Sequence, residues 1–345
     1  MNIETFPDRL IKYNGETYHY FGGTSYLGMA TLPEFQEQIF KSIKQWGTIY
    51  GSSRNANVHL NVYEMFENAF SEFVEAEDAI AVSSGTLAGK MVVQYFAKHN
   101  CRFFHYPNSH PAVLHNESTP VFIKNTLHPD LINTKEEEIV IVLDAVLSAE
   151  VTPTSLDFLR SVSPTKRINL VVDESHSLGI VGNYGEGIFN SINADNIYRK
   201  IMVTSLGKAL GISGGIIVSN ADFIAQLKTE DIFVSASAAN PAYLDAFLKS
   251  QHLYRQQREK LNQNLKFLFD GLELKPSFKF NPDYPVIYCN ESTIYNKLLK
   301  NKIVIANFKY PNYEALMSRI VITANHTPAD LDLLRRVLEG ITNLT

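Results

Sequence analysis

The 345-residue sequence predicts an α/β fold, with a large domain built on a mostly parallel central sheet and a smaller α/β domain beside it. Three observations carry this. From about residue 60 to 220, short runs rich in Val and Ile alternate with longer stretches of helical periodicity. Each of those runs ends abruptly in small or polar residues, as strands do when they deliver the chain to a binding edge. Hydrophobic residues make up 45% of the chain and charged ones 19%, a balance that supports a packed core and excludes a disordered chain.

Taken in order, the predicted central strands are Ala79-Ile80-Ala81-Val82, Ile139-Val140-Ile141-Val142-Leu143, Leu170-Val171-Val172 and Ile201-Met202-Val203. They lead into Ser83-Ser84-Gly85, Asp144, Asp173 and Thr204-Ser205, so these four loops are expected to face one cleft. After Pro241, residues 242 to 272 place Leu244, Phe247 and Leu248 at helical spacing before turning polar, which predicts one long helix leaving the large domain. Beyond it come strand-like pieces at Pro285-Val286-Ile287-Tyr288 and Arg319-Ile320-Val321-Ile322-Thr323, then a closing helix. Thr327 reads as the N-cap of that helix, Pro328 sits in its first turn, and Asp330 lies near the positive end of its dipole. Leu331, Leu334, Leu338 and Ile341 then line a core-facing stripe. The expected division is 1–45 as an N-terminal segment packing with the small domain, 46–240 as the large domain, and 241–345 as linking helix and small domain.

A formal charge of −5 gives no reason to expect nucleic acid or an anionic membrane as partner. The two cysteines, Cys101 and Cys289, lie far apart without a CxxC or His-rich companion, which predicts no metal site and fits a reducing compartment. Met1-Asn2-Ile3-Glu4-Thr5 lacks a basic region leading into an apolar stretch, and no run approaches the ~18 apolar residues of a membrane span. The expectation is a soluble, cytoplasmic protein.

Two of the strand ends carry chemistry. Lys208, in Ser205-Leu206-Gly207-Lys208-Ala209-Leu210-Gly211, follows an apolar strand and is flanked by small residues, surroundings in which an amine loses its proton and becomes a nucleophile. Asp173 closes the run Asn169-Leu170-Val171-Val172 and is followed by Glu174-Ser175-His176. Alone, a lysine is most often a solvated charge and an aspartate after a strand a turn or cap residue. On successive strand ends, the pair suits an enzyme that holds pyridoxal 5'-phosphate (PLP), with Lys208 as imine partner of the aldehyde and Asp173 as counter-ion of the pyridinium.

The ordered segments Phe21-Gly22-Gly23-Thr24-Ser25-Tyr26-Leu27-Gly28, Gly51-Ser52-Ser53-Arg54, Ser84-Gly85-Thr86, Asp173-Glu174-Ser175-His176 and Ser205-Leu206-Gly207-Lys208 together resemble the α-oxoamine synthases. These are a branch of the fold-type-I PLP-dependent transferases, nearest here to 8-amino-7-oxononanoate synthase and glycine C-acetyltransferase. The resemblance runs from Tyr18 to the closing helix. It implies that Ser84, Gly85, Thr86 and Ser205 hold the cofactor phosphate, the first three at a helix start, with Ser237 reaching the phosphate of a neighbouring subunit. His110 would lie over the ring, His176 and Ser148 near its phenolic oxygen, and Arg319 would grip the substrate carboxylate, for which a guanidinium fork is suited. Thr24 stands where the family has an asparagine that contacts the amino acid. Ala149-Glu150-Val151 replaces its usual M-D-G.

By the same resemblance the reaction joins a small amino acid to an acyl-CoA with loss of carbon dioxide, giving an α-amino ketone, as in biotin formation, in a homodimer with shared active sites. Lys208 would remove the Cα proton and His110 would polarise the acyl carbonyl. An aminotransferase of the same fold would use Lys208, Asp173 and Arg319 equally well. A non-catalytic paralogue is the third reading, against which the presence of both Lys208 and Asp173 counts.

Overall fold

The computed structural model describes residues 1–309 and 316–343. Seven strands form the larger sheet, in the spatial order Asp78–Val82, Gly215–Ser219, Ile197–Ser205, Lys166–Asp173, Glu137–Asp144, Arg102–His105 and Thr119–Pro120. All four predicted strands are present. Their Val/Ile runs are continuous because both faces are buried. Ile139, Ile141 and Leu143 enter one core cluster, while Val140 and Val142 enter another on the opposite face.

Three further strands were not predicted, among them the short edge strand Thr119–Pro120. Arg102–His105 extends the parallel edge beside Glu137–Asp144. Gly215–Ser219 runs antiparallel between Asp78–Val82 and Ile197–Ser205, so the Ser84 turn and the Lys208 segment are not on adjacent parallel strands. Its glycine-led sequence, Gly215-Ile216-Ile217-Val218-Ser219, follows the Lys208 loop so closely that it only has room to fold straight back.

The second sheet has six strands, ordered Leu10–Tyr13, Glu16–Phe21, Ile303–Phe308, Met317–Val321, Val286–Cys289 and Phe278–Phe280. Strands from both chain ends therefore share one sheet, joined where Glu16–Phe21 pairs in parallel with Ile303–Phe308.

The single long helix predicted over 242–272 is instead two helices, Pro241–Lys249 and Gln251–Phe269. Ser250 separates them at φ −116°, ψ 18°. The break lets two apolar faces point different ways. Leu244 and Phe247 pack toward Phe66 and Phe70, and Leu261, Leu265 and Leu268 are buried further along. The helix Pro33–Trp46 is tied to the first of these by a 2.6 Å bond from the Ser42 hydroxyl to Asp245.

The closing helix Pro328–Asn343 starts as its sequence demands. Thr327 Oγ1 accepts the Asp330 N–H at 3.3 Å, and Asp330 accepts in return from the Thr327 N–H at 2.8 Å. Leu331, Leu334, Leu338 and Ile341 are buried. Asp330 also pairs with Arg9 and His19, which pins the N-terminal segment to this helix start.

Candidate active site

The carboxyl ends of the central strands meet in one place. Ser84 caps the 14-residue helix Gly85–Lys98, its hydroxyl accepting the Leu87 N–H at 3.1 Å. Neighbouring backbone presses this turn from two sides. A Cβ on Gly85 would lie 2.7 Å from Ser205 Cα, and one on Gly215 would lie 2.3 Å from the carbonyl carbon of Ser84. The inserted antiparallel strand thus holds Ser84-Gly85-Thr86 against Ser205, and the free N–H groups of the helix start face outward there. Ser205 is itself fixed: its N–H donates to Ser175 Oγ at 2.9 Å, and its hydroxyl accepts the Gly207 N–H at 3.2 Å.

Asp173 and Asp144 close adjacent parallel strands as register partners. Asp173 is 7% exposed and accepts the Ser175 N–H at 2.9 Å. Asp144 accepts the His110 N–H at 2.9 Å, which brings the His110 loop to the same edge. Burial, reinforced by the charge of Asp173, drives the Asp144 carboxyl well above the usual carboxylate range.

Lys208 lines the wall of this cleft, half-buried. Desolvation lowers its amine to about 8, the carboxylates of Asp173 and Asp144 pull back toward the charged form, and Arg319 adds to the lowering. His110 is lowered by burial, partly countered by Asp173. His176 is held well below its ordinary value, first by burial and then by the charges of Lys208 and Arg319. Its Nδ1 shares a 2.9 Å hydrogen bond with the Tyr26 hydroxyl, and its carbonyl accepts from Tyr284 Oη at 3.0 Å. Next to it, Glu174 is fully buried, accepts from Ser177 and from the Ile188 N–H at 2.9 Å, and is raised to about 7 by desolvation. It anchors the end of the glycine-rich loop 179–187 through the Ile188 N–H.

Arg319 sits on an interior strand of the second sheet and is only 7% exposed. Its Nη2 donates to the Gly23 carbonyl at 3.2 Å, while its buried Nε has no hydrogen-bond partner among the described residues. Among the described residues no carboxylate pairs with it. Burial works against its charge, but the phenols of Tyr26, Tyr288 and Tyr284 more than offset this, so its pKa is raised. A buried cation without a carboxylate calls for an anionic ligand. Thr24 follows the glycine that Arg319 contacts and is half-buried.

Lys208, Asp173, His110, His176 and Arg319 therefore share one electrostatic environment, with Ser205, Ser84, Gly85 and Thr86 forming a cradle at its edge. Ser148 is buried, and its carbonyl accepts from Tyr288 Oη. Ser237 stands apart, exposed between the helices Asp231–Ser235 and Pro241–Lys249, and no described contact joins it to the others. Asp144, Tyr26, Tyr284 and Tyr288 belong to the site without having been singled out from the sequence. Asp144 and Tyr26 lay inside quoted motifs and could have been found as strand-end or turn residues. Tyr288 ended a predicted strand piece and looked like an ordinary strand phenol, while Tyr284 lies just before that strand and carried no signal. The described residues contain no metal-holding cluster. A cavity of about 670 Å³ between Val151, Ile180, Arg258 and Tyr284 lies behind the His176 turn and, Tyr284 apart, is lined by none of these groups.

The donor set fits PLP. It offers an anion cradle at a helix start, a buried carboxylate for a protonated ring nitrogen, and an amine near pKa 8 for an aldehyde.

The solved structures most like this chain include Sphingomonas wittichii serine palmitoyltransferase, at TM-score 0.81 and 21% identity over 96% of this chain and 89% of that one. Another is serine palmitoyltransferase from S. paucimobilis with bound PLP, at TM-score 0.79 and 19% identity over 96% and 89% of the two chains. These show the α/β fold. Among sequence relatives, 8-amino-7-oxononanoate synthase of Lysinibacillus sphaericus is 25% identical, covering 93% of this chain and 88% of its own length. Residues 25–338 match the family described as aminotransferase class I and II. With nearly the whole chain inside that match, the protein is a member of the aminotransferase class I and II family.

Proposed function

We propose that the protein is a PLP-dependent acyltransferase of the α-oxoamine synthase type. It would join a small amino acid to an acyl-CoA or related acyl thioester and release carbon dioxide and free thiol, giving an α-amino ketone. The observation that carries this is the pairing of Lys208, lowered to about 8 beside Asp173, with Arg319, a buried guanidinium that lacks a carboxylate. The relatives named 8-amino-7-oxononanoate synthase support alanine and a pimeloyl thioester as substrates and biotin formation as the context.

PLP, when bound, supplies the electron sink that accepts the pair left at Cα. Ser84, Gly85, Thr86 and Ser205 would bind its phosphate. Asp173 would keep the ring nitrogen protonated. His110 would cover one ring face, with His176 and Ser148 toward the phenolic oxygen. Lys208 would carry the aldehyde at rest. Freed by the incoming amine, with its pKa lowered to about 8 by burial, its Nζ would take the Cα proton. Arg319 would orient the carboxylate beside Thr24. His110 Nε2 would donate toward the acyl carbonyl oxygen, its Nδ1 being occupied as acceptor of the Ala112 N–H at 3.2 Å.

A homodimer is part of the proposal. Phe40, Ile49, Val58 and Met65 expose more than half their surface in one N-terminal region, and Ser237 is available to a neighbour. Among the described residues no helix is long and apolar enough to cross a membrane, which agrees with the cytoplasmic placement proposed here.

The deciding experiment supplies PLP-loaded protein with alanine and a series of acyl-CoAs. Equal release of thiol and carbon dioxide is expected. The family match keeps transamination as the second reading, and conversion of alanine and a keto acid without thiol release would establish it instead.

A further inference from the structure

Arg319 and Ser148 lie on opposite walls of the cleft, one on the second sheet and the other in the turn after the Asp144 strand. Tyr288 joins them. It is the direct cross-strand partner of Arg319, its phenol lies against the guanidinium, and its hydroxyl donates to the Ser148 carbonyl. The side chain is 7% exposed. A cavity of about 270 Å³ opens beside it, lined among others by Asn108, Leu147, Glu150 and Met317.

Gripping a planar carboxylate with two parallel bonds requires the guanidinium plane to be fixed, and an arginine left to itself has much rotamer entropy to lose. Few groups here can fix it. The Gly23 carbonyl takes Nη2, the Phe308 ring lies 5.6 Å from the guanidinium carbon, and Nε has no partner among the described residues. Tyr288 has only two side-chain torsions and is held at both ends, by its strand and by Ser148, so the orientation of Arg319 follows from it.

We propose that Tyr288 is a substrate-positioning residue: it sets the Arg319 fork for the α-carboxylate of a free amino acid and so gives the site its preference for a carboxylate over a neutral carboxamide. This rests on the reading of Arg319 as the carboxylate anchor. Removing the phenol oxygen leaves the guanidinium charged and buried but loosens its plane. Binding of the carboxylate then weakens while the amine end of the substrate is unaffected.

The test uses PLP-loaded wild type, Tyr288→Phe, Tyr288→His and Arg319→Met, with dissociation constants for L-alanine and L-alaninamide measured by calorimetry beside KM and kcat. Tyr288→Phe should lower the alanine-to-alaninamide affinity ratio about tenfold. KM for alanine should rise in step, and kcat should change far less. Tyr288→His, which keeps a polar ring edge, should show a smaller fall in the ratio. An unchanged ratio in whichever Tyr288 variant folds, together with a collapsed ratio in Arg319→Met, overturns the role of Tyr288 and leaves Arg319 as anchor. An unchanged ratio in Arg319→Met as well removes the underlying reading.

Discussion

Asp144 and Asp173 stand side by side as register partners at the carboxyl edge of the large sheet, and both are buried. Burial and the neighbouring Asp173 raise the Asp144 carboxyl well above the ordinary carboxylate range, while its oxygen accepts the His110 N–H. Asp144→Asn keeps the shape and an acceptor for that N–H and should leave kcat within a few-fold of wild type. Asp173→Asn removes the counter-ion and should cost about 100-fold or more in kcat. Steady-state kinetics of the two variants side by side checks the assignment.

Gly85 has no room for a side chain. An added Cβ would stand 2.7 Å from Ser205 Cα, which is backbone and cannot swing aside. Gly85→Ala should push the helix start away from Ser205, costing about 1–3 kcal/mol of stability. It should also weaken PLP binding more than it weakens alanine binding to protein saturated with cofactor. Thermal melting and cofactor titration separate the two effects.

Arg319→Lys keeps the charge and loses the fork. KM for the amino acid should rise at least about tenfold, because one ammonium cannot reproduce two parallel bonds to a carboxylate. KM for the thioester should stay within about twofold of wild type, the level expected of a group that does not touch it.

The pH response follows from Lys208. Its ordinary value is 10.5, and burial lowers it to about 8 in the folded protein. Between about pH 8 and 10.5 the unfolded chain binds more protons at this position, so its contribution makes the apoprotein more stable as pH rises through that window. Labelling of Lys208 in apoprotein by an amine reagent should rise with a midpoint near 8. In Asp173→Asn the midpoint should move lower, since that carboxylate favours the charged amine.

The sequence disclosed the central strands because each is a short apolar run closed by a polar residue, a pattern that burial on both faces makes continuous. It disclosed Lys208 and Asp173 for the same reason, since both follow such runs. What it could not disclose depended on distant pairing. Gly215–Ser219 looks like any apolar strand, and its antiparallel insertion follows from the short Lys208 loop. Ser250 breaks a helix that composition alone would continue, because the apolar stripes on its two sides face different layers. Tyr288 carries the pattern of a strand residue, and Tyr284 lies just before that strand. Only the docking of the second sheet against the His176 and Ser148 turns makes them part of the site.

Borohydride reduction of PLP-loaded protein, followed by peptide mapping, tests the central claim most directly. The account predicts one pyridoxyl group, on Lys208, and none in Lys208→Ala. A pyridoxyl group on another lysine, or none on the wild-type protein at saturating PLP, would contradict it.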